Sequence, residues 1–148
     1  MAAQNYSIYS GNIYEFTPSG AQSTFASGLN QPSGLAFDSA GNLFETDYGS
    51  GNIYEFTPSG VQSTFASGLN GPQGLAFDSA GNLFETDSGS GNIYEFTPGG
   101  AQSTFASGLD NPVGLAFQGE NLPVPEPSAL GLLAFGMFGM TLLRRHQR

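Results

Sequence analysis

Glu45 and Asp47, and again Glu85 and Asp87, stand one residue apart inside the segment Leu-Phe-Glu-Thr-Asp. Side chains two apart in a strand share a face, so each pair presents two carboxylates side by side. Paired carboxylates can serve as acid and base on a glycosidic bond. Oxygen ligands in a lysine-free setting also suit Ca2+, with Asn42 and Asn82 close by in sequence. Against both readings, the same pair returns unchanged in each full repeat, which marks a structural motif rather than one active centre. Asp47 and Asp87 also lead into a turn of the form x-Gly-Ser-Gly, whose amides an Asp side chain readily binds. Glu45, Asp47, Glu85 and Asp87 are therefore carried as Ca2+ candidates, with no catalytic residue among them and no other cofactor expected.

Nucleophilic catalysis finds no materials in the body of the chain. A Ser-His-Asp or Cys-His arrangement needs a base that titrates near neutrality. The chain has no cysteine, and its one histidine, His146, lies in the last three residues. Lysine is absent, and the three arginines (Arg144, Arg145, Arg148) also sit at the C-terminus, while all twelve acids lie before them. Binding nucleic acid requires basic side chains against phosphates, so that class is excluded for the body. A strongly acidic surface is soluble and attracts cations. The expectation is a protein that binds or scaffolds rather than an enzyme.

The elements that position the carboxylates belong to a forty-residue repeat. Residues 11–50 and 51–90 differ only at Ala21/Val61, Gln31/Gly71, Ser33/Gln73 and Tyr48/Ser88, and a third copy runs from Gly91 to about Phe117. Such a period marks a propeller blade or solenoid unit. Each unit reads as four short strands: Gly34–Asp38, Leu43–Asp47, Ile53–Phe56 and the more polar Gln62–Ala66. Between them lie Ser-Ala-Gly-Asn, Gly-Ser-Gly-Asn and Thr-Pro-Ser-Gly turns. Alternation puts Leu35 and Phe37 on one face and Gly34 and Ala36 on the other, and puts Tyr54 and Phe56 opposite Ile53 and Glu55. One meander cannot bury both faces, whereas stacked copies can. The fold class expected is all-β, a β-propeller-like array of about three four-stranded blades.

The pattern Pro-x-Gly-Leu-Ala-Phe-Asp-Ser-Ala-Gly-Asn-Leu-Phe-x-x-Asp-x-Gly-x-x-x-Ile, at Pro32–Ile53 and Pro72–Ile93, resembles the NHL-type propeller repeat. It is also similar to blades of gluconolactonase-like propellers. That second resemblance implies a divalent metal held by Glu, Asn and Asp at a channel mouth. The strand count is eleven if Gly114–Phe117 opens a further blade, and twelve if residues 5–9 stand in for one more. Three blades are too few for an ordinary closed ring. Upstream blades, a six-bladed ring from two copies, and a small ring or open arc all stay open. Residues 1–10 have neither a basic start nor an apolar core, so they do not read as a signal peptide. Tyr14, Tyr54, Tyr94 and the Gly-Ser turns are the surfaces expected to bind a ligand.

After residue 122 the composition changes. Pro123-Val124-Pro125-Glu126-Pro127 forms a stiff extended spacer, Ser128 caps an uncharged apolar run from Ala129 to Leu143, and Arg144-Arg145-His146-Gln147-Arg148 ends the chain. Sixteen residues of helix reach ~24 Å, somewhat short of the hydrocarbon core, and the flanking basic cluster favours one C-terminal transmembrane helix with the arginines in the cytoplasm. The three parts together resemble the PEP-CTERM sorting signal. The resemblance implies a bacterial protein exported through the cell envelope and cleaved by an exosortase near Val124, Pro125, Glu126 and Pro127. Arg144 and Arg145 would be the membrane stop, and the body would reach the cell surface or an exopolysaccharide matrix. The organisation expected is residues 1–122 as propeller repeats and 123–148 as sorting signal. The alternative is a fragment of a larger metal-dependent lactonase or lyase propeller.

Overall fold

A computed structural model describes residues 10–117. The expected transmembrane helix, the 124–127 motif, Arg144, Arg145 and the strand suggested for residues 5–9 lie outside them. The described part contains ten strands and no helix: β1 (Ser10–Phe16), β2 (Gln22–Asn30), β3 (Pro32–Phe37), β4 (Leu43–Asp47), β5 (Asn52–Phe56), β6 (Gln62–Ala66), β7 (Pro72–Phe77), β8 (Leu83–Asp87), β9 (Asn92–Phe96) and β10 (Gln102–Ala106). They form antiparallel meanders: the hairpin β1-β2, a sheet β3-β4-β5-β6 and a sheet β7-β8-β9-β10. The first and second full blades are thus complete, and the hairpin supplies the outer two strands of a third.

The turns explain why the meanders form. Asp38 Oδ1 accepts the amides of Ala40 (2.9 Å) and Asn42 (2.8 Å), while Asn42 Nδ2 donates to Asp38 Oδ2 at 2.9 Å. Gly41 closes that turn at φ 87°, where a side chain would be strained. Pro32 and Pro72 open the innermost strands, where a missing donor does no harm.

The core lies between blades. One cluster joins Phe44 and Ile53 of the first full blade to Leu75, Leu83 and Phe96 of the second, with Ala36, Phe65, Phe77 and Tyr94 packed against it. The other joins Ile13 and Leu29 of the hairpin to Leu43 and Phe56 of the first full blade. The facing predicted by alternation is the observed one: Tyr54 and Phe56 look back toward the hairpin, Ile53 and Ala36 forward to the next blade. Edge-to-face rings lace the interfaces, with Phe44 on Phe77 at 5.1 Å, Phe65 on Phe96 at 5.7 Å and Phe25 on Phe56 at 5.7 Å.

The expectation of a strand at Gly114–Phe117 needs correction: these residues pair with no strand among those described. The sequence past Phe117 lacks the Leu-Phe-Glu-Thr-Asp segment that pairs with β3 and β7 in the full blades. The segment nonetheless takes the place of an innermost strand. Phe117 packs on Phe84 at 4.7 Å, as Phe77 does on Phe44.

Candidate functional site

The carboxylate pairs lie on β4 and β8, the second strands of their blades, which are buried along their whole length. Glu45 and Asp47 share a face with Leu43, toward the hairpin; Thr46 shares the other with Phe44, toward the second blade. The two acids of a pair have different surroundings. Asp47 Oδ2 accepts the Asn30 amide at 2.6 Å and Oδ1 accepts the Ser50 amide at 3.0 Å. Asp87 repeats this with Asn70 (2.6 Å) and Ser90 (2.9 Å). Each aspartate therefore ties the end of one blade to the β-turn of the next, with both oxygens in use.

Glu45 and Glu85 have no such partners. Both are wholly buried, and none of their four oxygens makes a hydrogen bond. Burial, and then the negative charge of Asp47 or Asp87, pushes each carboxyl from its usual 4.5 up to about 8, with the Gln73 backbone amide opposing the rise at Glu85 alone. At neutral pH they are therefore mainly protonated. A neutral carboxyl makes a poor cation ligand, and no cluster of three or more His, Cys, Asp or Glu occurs among the described residues. Asn42 does not join the pair either. It sits at the opposite end of β4 from Asp47, about 16 Å along a strand, and binds Asp38. Asn82 binds Asp78 in the same way.

Thr46 and Thr86 carry no sequence expectation, yet they link the innermost strands of successive blades. Thr46 Oγ1 accepts the Gly34 amide and donates to the Gln73 carbonyl, each at 2.6 Å. Thr86 repeats the relay between Gly74 (2.8 Å) and Val113 (3.0 Å). A Cβ on Gly34 would lie 2.1 Å from the Gln73 oxygen, so only glycine fits where the innermost strands meet. The one advance signal was the invariance of Gly34/Gly74 and Thr46/Thr86 between repeats.

The tyrosines expected as ligand platforms sit in the third strands. Tyr54 and Tyr94 are half-buried between blades, and each hydroxyl accepts a bond from Asn52 or Asn92 at 2.9 Å. Tyr14 is half-exposed. Two grooves open at the surface. A groove of 630 Å³ lies between the full blades at the Asp38 turn, with Asp38, Asn42, Glu55 and Asp78 along it and Phe44, Phe65 and Phe77 among its walls. A more apolar one of 520 Å³ lies beside Leu35 and Phe37, bounded by Ile13 and Phe25.

Residues 123–146 match the model of the PEP-CTERM protein-sorting motif. The chain thus carries a signal for exosortase-dependent sorting of an exported protein through the cell envelope. No curated protein sequence matches the chain. Among solved structures, selenomethionine-substituted virginiamycin B lyase from Staphylococcus aureus superposes with a TM-score of 0.64 at 21% identity, over 74% of this chain and 39% of that one. A catalytically inactive histidine-to-alanine variant of the same lyase with quinupristin gives the same values. The fold is therefore of the β-propeller type, and the chain spans about two fifths of the length of those lyases.

Proposed function

We infer that this is an exported, non-enzymatic repeat protein of the cell surface or extracellular matrix, whose blades bind or scaffold. Its body is residues 1–122, with blades of the NHL or gluconolactonase-like type, and residues 123–148 are a removable address. The observation that carries this reading is the sorting motif at 123–146 on a propeller-type body. An exosortase recognises Val124–Pro127, the apolar run from Ala129 to Leu143 holds the chain in the membrane, and Arg144 and Arg145 stop it there. The groove between the full blades, with acidic and amide groups along a phenylalanine wall, has the chemistry to hold a hydroxyl-rich exopolysaccharide.

The alternative, a fragment of a larger lactonase or lyase-type propeller, is not better supported: the likeness to the lyases, at 21% identity over 39% of their length, carries the fold and no activity. The test is to follow the body in its native cells with and without exosortase activity. Surface or matrix location with exosortase, and retention in the membrane without it, is the expected result. The same location in both backgrounds overturns the reading.

A further inference from the structure

Near-identical repeats make the interior blade contact a template for the two open ends. Gly-Leu-Ala-Phe occurs at 34–37, 74–77 and 114–117. Leu75 is 9% exposed beneath the first full blade, but Leu35, the same residue one unit earlier, is 50% exposed. Phe77 packs on Phe44, while Phe37 is 68% exposed. The cause is geometric: the hairpin β1-β2 covers only the outer half of the first blade's face, at Leu43 and Phe56.

The other end shows the complementary deficit. Gly34 and Gly74 are each pressed by the carbonyl of the next innermost strand, Gln73 or Val113, while a Cβ on Gly114 would meet no described atom within 4 Å. Ala116 is exposed where Ala36 and Ala76 are half-buried. In the interior, Phe25 stacks on Phe56 and Phe65 on Phe96, always from the fourth strand of one blade to the third strand of the next. Phe105 is the next donor in that series and is 61% exposed; Phe16 is the unmatched acceptor and is 64% exposed.

We propose that a second copy of the chain closes these ends, with the segment 113–117 of each copy taking the innermost place of the blade whose outer strands are the other copy's β1 and β2. Phe105 of one copy then stacks on Phe16 of the other, and Gly114 and Ala116 seat over the other's Leu35 and Phe37. Each copy brings two full blades and the complementary pieces of one more. Two copies then offer six blade positions in one ring, within the usual four to eight, four of them filled by full four-stranded blades. The two contacts are related by a two-fold axis, so the assembly closes rather than growing into a fibre.

The test is the molar mass of the full chain in mild detergent, measured for the native sequence, for Phe16→Lys, for Phe105→Glu and for an equimolar mixture of the two variants. The native chain is expected at twice its 15.4 kDa mass, and each variant alone at that of one chain. The mixture is expected to recover the doubled mass, because one contact stays native and the other gains an opposite-charge pair. Recovery also separates a lost contact from a lost fold. A native chain that runs as a single copy, a larger open series, or a dimer that persists in both variants overturns the proposal.

Discussion

Thr46 and Gln73 stand 27 residues apart, yet the hydroxyl of one donates to the carbonyl of the other at 2.6 Å, across the boundary between two blades. The same oxygen accepts the Gly34 amide, so one buried hydroxyl satisfies two backbone groups where the innermost strands converge. Thr46→Val removes the hydroxyl at constant shape and leaves both groups unpaired. Each buried orphan costs about 1–3 kcal/mol. Chemical denaturation of Thr46→Val should show at least the lower figure, with Thr46→Ser losing much less.

The convergence also fixes Gly34. Gly34→Ala sets a Cβ against the Gln73 oxygen and is expected to lower stability by about 1–3 kcal/mol or more, the usual range for overpacking. Gly99→Ser provides the contrast. The first two repeats carry Ser19 and Ser59 there, and a Cβ meets only Thr97 Oγ1, at 3.9 Å. Thermal melting should move by less than about 0.5 kcal/mol for that change.

The buried glutamates give stability a defined pH dependence. Folding raises Glu45 and Glu85 from 4.5 to about 8, so between those values the folded chain keeps protons that the unfolded chain has released. Stability therefore falls as pH rises from about 4.5 to about 8, by up to about 1.4 kcal/mol per pH unit for each group, and levels off above that. Melting temperatures across pH 5–8 should decline for the native chain. The double variant Glu45→Gln with Glu85→Gln should decline less and be the more stable protein at pH 8.

Asp47 acts through its two amide bonds. Asp47→Ala frees the Asn30 and Ser50 amides and is expected to cost about 2 kcal/mol, because hydrogen bonds to a charged acceptor rank among the stronger ones. Asp87→Ala should match it. Adding Ca2+ or a chelator should leave the melting temperature of the native chain unchanged, since each aspartate is engaged by two backbone amides and the glutamate beside it holds its proton. A rise with Ca2+ would support the cation reading of the four acids.

Much of this architecture was legible in the chain. Leu43–Asp47 and Gln62–Ala66 are short runs bounded by Gly-rich turns, and their observed bounds match that reading. What alternation cannot carry is the surroundings of a face. Leu35 and Leu75 sit in the same local sequence and differ five-fold in exposure, because different blades stand in front of them. Glu45 had the pattern of a ligand, but its burial comes from the neighbouring blade's packing. Gly114–Phe117 has a strand's residues without a described partner strand, so composition alone overstated it. The Thr46 relay joins groups that only folding brings together, and repetition of the residues was its sole trace.

The C-terminal residue of the protein recovered from its native cell surface or matrix, read by intact mass and terminal peptide sequencing, bears most directly on the sorting account. The account predicts a body that ends within or next to Val124–Pro127 and lacks Arg144, Arg145 and Arg148. A surface or matrix protein that still carries Arg148 would contradict it.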